Sequence, residues 1–450
     1  MSYAGHVRAI LSLGLPLIGG HVAQMAIGIT DTVMLGWYGV APLAAVTLGH
    51  SYFFVFFMLG SGFALAVMPL VSAASARGDE VAIRRSTRMG LWLSLAFALV
   101  IMPVMWWSQT ILSALGQEPE LAADVAQYLR IAGWGLVPAL LVMVIKSYLA
   151  ALERTQVVLW ITLMAAVANG IVNYALIFGN WGAPELGLQG AAIASVTTQF
   201  ISLLAIIAYA RRALPHHDLF RRIWRPDWEV LGSVFRLGLP IGLTTVSEVS
   251  LFAATAFMMG WIGTVPLAAH GIVITVSGAT FMVHLGLSNA ATIRAGNAFG
   301  RGDRAHMRRG AIAVCALSLV MVALTVAAFL GIPEPIVGLF LEADAPARAE
   351  VIALGVTLLA VAALFQLVDG AQVIALGLLR GVQDTTVPMI IAIFAYWAVG
   401  LPAAYVLGFT FGFGAVGLWF GLVFGLAGAG IILMLRFWRH SIRTVGRAPA

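Results

Sequence analysis

Apolar residues in this chain run on for about twenty positions at a time before a polar stretch interrupts them. Twelve such runs are legible. They lie at 10–37, 43–71, 89–112, 128–149, 157–178 and 188–209, and then, beyond a polar stretch, at 234–261, 267–293, 311–330, 351–376, 387–406 and 416–435. A helix advances about 1.5 Å per residue, so a run of about 20 crosses the hydrocarbon core of a bilayer. Lipid offers no partner to an open backbone amide, which makes helices the form these runs must take. The pattern predicts an all-α integral membrane protein with twelve transmembrane helices.

Composition strengthens that expectation. Of 450 residues, 61% are hydrophobic and only 10% charged, a balance no soluble core of this size accommodates. The first run is long and lacks a small-residue cleavage site, so it is expected to stay as the first membrane helix. Cys315 is the only cysteine and can form no internal disulfide. The net charge of +6 raises the question of nucleic acid, but the placement of the charges excludes it. With the helices alternating, 23 of the 25 basic residues fall on one side. Only Arg130 and Arg348 fall opposite, among Glu118, Glu120, Asp124, Glu334, Glu342, Asp344 and Glu350. The positive-inside rule then places both termini in the cytoplasm and the basic loops near anionic lipid.

The chain also repeats itself. Leu13-Gly14-Leu15-Pro16 recurs as Leu237-Gly238-Leu239-Pro240, an offset of 224. The same offset maps Pro42-Leu43-Ala44-Ala45 onto Pro266-Leu267-Ala268-Ala269, and Arg77-Gly78-Asp79 onto Arg301-Gly302-Asp303, with no gap. Each repeat holds six helices, an even number, so two parallel six-helix repeats enter the membrane in the same sense. The expected organisation is an N-terminal lobe at 1–213, a cytoplasmic linker at 214–232 and a C-terminal lobe at 233–450. Pro16 and Pro240 sit within apolar runs, where each removes a backbone hydrogen bond; they are candidate hinges as well as candidate fixed kinks.

Three carboxylates lie where lipid penalises charge: Asp31 in the first helix, Glu248 in the seventh and Asp369 in the tenth. Burial of an ionisable group in a membrane costs roughly 3 kcal/mol, so a functional role is the default expectation. Glu248 lies twelve residues beyond Arg236 and Asp369 eleven before Arg380, which places both near the midplane and able to share a cavity. Such a pair suits a proton carrier or a monovalent-cation site. Asn169 and Asn173 stand one turn apart in the fifth helix, with oxygens suited to a hard cation, and with Asp31 could form a second site. Packing between helices is the competing role for these asparagines. The repeat does not carry these groups: the offset pairs Asp31 with Thr255 and Glu248 with Gln24.

His21, His50, His270 and His284 fit no zinc spacing and are expected to be packed or interfacial. Gly296, Gly300 and Gly302 lack phosphate-loop spacing. Phe53, Phe54, Phe56 and Phe57 could line an adaptable cavity, with lipid-facing packing as the default. No nucleophile–base pair can be placed, so an enzyme is not expected, nor is any cofactor beyond a coupling ion.

The residues so far resemble a known family. Pro16 with Asp31-Thr32-Val33-Met34, Glu248 within Ser247-Glu248-Val249-Ser250-Leu251-Phe252, Asp369 followed by Gln372-Val373-Ile374-Ala375 and Leu379-Arg380-Gly381, the run Asn169-Gly170-Ile171-Val172-Asn173 and the stretch Trp181-Gly182-Ala183-Pro184-Glu185-Leu186-Gly187 are similar to the multidrug and toxic compound extrusion transporters, in their NorM-type bacterial branch. The resemblance implies V-shaped lobes in the inner membrane. It also implies monomeric antiport of small cationic, amphipathic or aromatic drugs against H⁺ or Na⁺, with Asp31, Asn169, Asn173, Glu248 and Asp369 at the cation-coupling positions. Na⁺ would bind at Asp31, Asn169 and Asn173 or at Glu248 and Asp369. Many relatives have Asp where this chain has Asn173, which takes a negative charge from the first of these sites. A flippase for lipid-linked precursors is the alternative; an anionic headgroup would call for buried basic residues, and none is expected near the midplane.

Overall fold

The computed structural model describes residues 1–342 and 347–446; Asp344 and Arg447 lie outside them. Twelve helices are long and apolar enough to cross a membrane. They are α1 (Tyr3–Tyr38), α2 (Val40–Ala76), α3 (Glu80–Trp106), α4 (Pro119–Ala151), α5 (Thr155–Phe178), α6 (Gly187–Ala213), α7 (Trp228–Ile262), α8 (Thr264–Arg301), α9 (Arg304–Gly331), α10 (Arg348–Gly381), α11 (Thr386–Thr410) and α12 (Gly414–Thr444). All twelve expected helices are present, and most outrun their apolar stretches. Hydrophobicity stops at the lipid boundary, whereas a helix stops where its backbone is capped.

The repeated Arg-Gly-Asp motif shows how. Gly78 and Gly302 adopt φ of +72° and +65°, a left-handed conformation that glycine takes without penalty. Their amides return to the carbonyls of Ser75 and Phe299 at 3.0 and 3.1 Å, which closes α2 and α8. One residue later the Asp79 and Asp303 carboxylates accept from the amides of Ala82 and His306, each at 2.9 Å, and open α3 and α9. That amide holds the Asp303 carboxyl below the usual range. The offset of 224 seen in the sequence is therefore a repeat of hydrogen bonds, atom for atom.

Departures from α-geometry are local. α4 passes through a 3-10 turn at Gly133–Gly135, and α11 through π turns at Ala395–Gly400 and Val406–Thr410. α1 and α7 remain helical through Pro16 and Pro240.

The chain packs as two compact units, one of Met1–Ile18 with Leu243–Ala450 and the other of Gly19–Gly242. The packing boundary therefore runs through α1 and α7, two residues past each proline, and the 214–232 stretch packs wholly in the unit of Gly19–Gly242. Glycines explain the exchange. A Cβ on Gly62 of α2 would overlap the Gly238 carbonyl and the Gly242 amide of α7, so those backbones touch directly. The repeat equivalent, Gly286 of α8, lies equally hard against Ile18 of α1.

Side chains of α3 also hold the linker to the unit of Gly19–Gly242. Arg85 forms a two-armed ion pair with Asp227 and reaches Glu229 at 3.2 Å. Arg88 Nε donates to the Leu219 carbonyl and Trp92 Nε1 to that of Ile223, each at 2.7 Å. In the other unit, α8 and α10 meet through small residues: Ser288 donates to the Val373 carbonyl at 2.7 Å and Thr292 to that of Gly377 at 2.8 Å.

Candidate functional sites

Each unit encloses a polar cluster within its membrane helices. In the unit of Gly19–Gly242, Asp31 projects from α1 and is 6% exposed. Asn169 and Asn173 of α5 are fully buried and one turn apart on its inner face. Asn173 Nδ2 donates to Asp31 Oδ1 and also lies 3.1 Å from Asn169 Oδ1. Ser195 Oγ of α6 donates to Asp31 Oδ2 at 3.1 Å. The three residues singled out from the sequence thus meet, and Ser195 completes the group. Asn173 Oδ1 has no hydrogen-bond partner among the described residues. That buried oxygen, the carboxylate, Asn169 Oδ1 and Ser195 Oγ make an all-oxygen donor set of the kind that suits a hard cation.

In the other unit Glu248 of α7 meets Asp369 of α10. Asp369 is 2% exposed and its Oδ1 has no hydrogen-bond partner among the described residues. The two carboxylates lie within electrostatic reach of each other. Gln372, one turn beyond Asp369 on α10, donates through Nε2 to Glu248 Oε1 at 3.3 Å. Tyr396, fully buried in the first π turn of α11, lies within electrostatic reach of both acids. The next residue, Trp397, donates from its indole to Ser247 Oγ at 2.9 Å, which fixes α11 against the helix that carries Glu248. Arg380, expected at the edge of the tenth helix, stands within electrostatic reach of Glu248.

Sequence reasoning found the acids and asparagines but not Ser195 and Tyr396; it met Gln372 only as part of a motif, and Arg380 as part of a motif and as a marker of helix depth. Two had a signal: Gln372 lies a helical turn from Asp369, and Ser195 is a polar position one turn from the buried Ala191 and Ala192. Of the four histidines, His270 and His284 are buried and packed, and His50 is exposed. His284 pairs with Ser318 at 3.2 Å, and the His270 ring meets that of Trp419 edge-on.

Twelve apolar helices, a six-helix repeat and buried acids in both units define a membrane transport protein rather than an enzyme. The chain belongs to the MatE family, whose model matches residues 16–175 and again 240–406; the two matches begin at Pro16 and Pro240, once more 224 apart. A protein of Rhizobium meliloti (strain 1021) described as "Probable multidrug resistance protein NorM" is 46% identical over 100% of this chain and 96% of its own length. One of the same description from Agrobacterium fabrum is 43% identical over 97% of this chain and 94% of its own. Among solved structures, the eukaryotic MATE transporter AtDTX14 superimposes with a TM-score of 0.87 over 99% of both chains at 17% identity, a likeness of fold.

Proposed function

We propose that this chain is a secondary multidrug exporter that exchanges H⁺ or Na⁺ for small cationic, amphipathic or aromatic drugs by alternating access. It acts as a monomer in the inner membrane with both termini in the cytoplasm. One observation carries the proposal: the half-buried Glu248 beside the buried Asp369, with Asp369 Oδ1 unpartnered among the described residues. Two acids in a membrane interior need a neutralising partner, and a proton, an alkali ion and an organic cation are interchangeable in that role. Outward-facing, the acids take the ion and release drug; inward-facing, they lose the ion and accept drug. Competition couples the two fluxes because each ligand shifts the conformational equilibrium only by its difference in affinity for the two states. The names of the relatives support the drug substrates, and the lopsided basic charge supports the orientation.

The test is efflux of a fluorescent organic cation from proteoliposomes under a pH gradient or a Na⁺ gradient alone. A response to pH only makes Glu248 and Asp369 the proton carriers and leaves the asparagines to packing. A response to Na⁺ brings Asp31, Asn169 and Asn173 into the coupling site. Efflux indifferent to both gradients would overturn antiport and favour a lipid flippase.

A further inference from the structure

The turn that opens the linker carries a side-chain cluster that the exchange of drug and ion does not use. Pro215–His217 form a single 3-10 turn, and the rings of His216 and His217 meet edge-on with centroids 4.3 Å apart. Glu80, the first residue of α3, completes the group. One donor atom from each of the three residues lies within 4.8 Å of the other two.

Two of these residues need no ligand to explain them. A glutamate in the first turn of a helix complements the helix dipole, and an exposed histidine in a turn is simply solvated. His217 is different. It is 4% exposed, and its Nδ1 is hydrogen-bonded to the hydroxyl of Tyr148, itself fully buried near the end of α4. With Nδ1 engaged, Nε2 is the nitrogen left to ligate. An imidazole held through one ring nitrogen so that the other can bind is the arrangement metal sites use.

The backbone of the turn is fixed from another side. Arg88 of α3 donates to the carbonyls of Asp218 and Leu219, and Leu214 and Leu219 are buried on either side of the turn. His217 is thus held in place by α3, α4 and the linker together, whereas Glu80 and His216 are exposed and can change rotamer. A tetrahedral ion with bonds of about 2 Å holds its donors about 3.3 Å apart. Closing the group by roughly 1.5 Å or less is within reach of those two side chains.

The donors also select the ion. Two imidazole nitrogens and a carboxylate oxygen suit a borderline divalent ion such as Zn²⁺, with a fourth position left to water. Ca²⁺ and Mg²⁺ call for oxygen donors throughout. Arg84, one turn beyond Glu80 on α3, stands within electrostatic reach of His217. A cation held by charge alone gains little beside it, so the affinity must come from direct coordination.

We propose that Glu80, His216 and His217 form a site for Zn²⁺ or a similar borderline divalent ion, which clips the start of the linker to α3. All three residues belong to the unit of Gly19–Gly242. The site is separate from both acid clusters and stands whether or not the antiport reading does.

The experiment uses full-length protein purified without a polyhistidine tag, stripped with chelator and held in neutral-lipid nanodiscs. Zn²⁺ is titrated in competition with a chromophoric chelator. Wild type should bind one Zn²⁺ per chain at micromolar concentration or below, and His216→Ala and Glu80→Gln should each weaken binding by about tenfold or more. Both replaced side chains are exposed, so the fold should be retained. His50→Ala, exposed on α2, should leave the affinity unchanged. Co²⁺ in place of Zn²⁺ should give a tetrahedral visible spectrum. Zn²⁺ should also slow tryptic cleavage at Arg221, Arg222 and Arg225 in wild type but not in His216→Ala. Absence of micromolar binding, an affinity unchanged in both His216→Ala and Glu80→Gln, an equal loss in His50→Ala, or an octahedral Co²⁺ spectrum would overturn the site. Zn²⁺ binding without protection from trypsin would overturn the clip.

Discussion

Asp31 and Asp369 are both buried aspartates in membrane helices, yet the protein solvates them in opposite ways. Both oxygens of Asp31 are occupied, by Asn173 and by Ser195. Asp369 has an oxygen that accepts nothing, beside a second acid that accepts one hydrogen bond at 3.3 Å. A hydrogen bond to a charged group contributes roughly 1.5–3 kcal/mol, so the first cluster tolerates its charge and the second is short of partners. The repeat sharpens the contrast. Duplication preserved the helix ends at Gly78 and Gly302, the caps at Asp79 and Asp303, and the contacts at Gly62 and Gly286, because backbone geometry fixes those residues. It did not preserve the acids. Thr255 stands in the place of Asp31 and satisfies itself on the Leu251 carbonyl at 2.9 Å. One scaffold thus carries a carboxylate whose two oxygens are both hydrogen-bonded and a carboxylate left short of donors.

If that contrast is right, the largest effect belongs to the second cluster. Glu248→Gln or Asp369→Asn should reduce gradient-driven dye efflux to the background of protein-free liposomes. Neither should unfold the protein. Asp369→Asn removes an underpartnered buried charge, so its melting temperature in detergent should hold or rise by the equivalent of about 1–3 kcal/mol. Full efflux by Glu248→Gln at every pH and Na⁺ level would remove the acid pair from the coupling step.

A smaller effect should follow from making the first cluster resemble the second. Asn173→Asp replaces the donor that holds Asp31 Oδ1 with another carboxylate. Two acids one hydrogen bond apart cannot both stay charged without a cation between them. The variant should lose about 1–3 kcal/mol of stability in Na⁺-free buffer at neutral pH and recover it as Na⁺ is added. Thermal melts along a Na⁺ titration read this directly, and a variant as stable as wild type without Na⁺ would mean that the site already holds its charge by other means.

The sequence made the helices legible because lipid imposes one length and one polarity, and a run such as 351–376 satisfies both unambiguously. Helix ends were less legible: hydropathy stops α8 near position 293, but the glycine and aspartate of Arg301-Gly302-Asp303 end it. The acids stood out because charge is rare in such runs. Tyr396 did not, since a tyrosine in an apolar run is as compatible with packing as with a site, and only the fold of α11 brings it to Glu248. Lys146 misled for a related reason. Five residues from a helix end it reads as a boundary marker, and only the hydrogen bond to Thr162 shows it turned inward. The division of packing at Ile18 and Leu243 was not legible either, because a repeat reports on ancestry whereas contact follows the glycines of α2 and α8.

The smallest effect concerns the linker, where a salt bridge is the test of how firmly 214–232 is held. Arg85 is 42% exposed and its partner Asp227 24%, so the pair contributes at most about 1 kcal/mol. The guanidinium hydrogen bond holds the Asp227 carboxyl below the usual range. A lowered carboxylate stabilises the folded protein fully above the unfolded value near 3.9, and that contribution is lost as pH falls through the lower folded value. Arg85→Gln should therefore melt slightly below wild type at pH 7, and the gap should close as pH falls through the lowered folded value of Asp227. Tryptic cleavage at Arg221, Arg222 or Arg225 should accelerate only modestly, because Arg88 and Trp92 still hold Leu219 and Ile223. Cleavage as fast as in an Arg85→Gln, Arg88→Gln, Trp92→Phe triple variant would mean that one exposed ion pair carries the whole attachment, against the weight that its solvation allows.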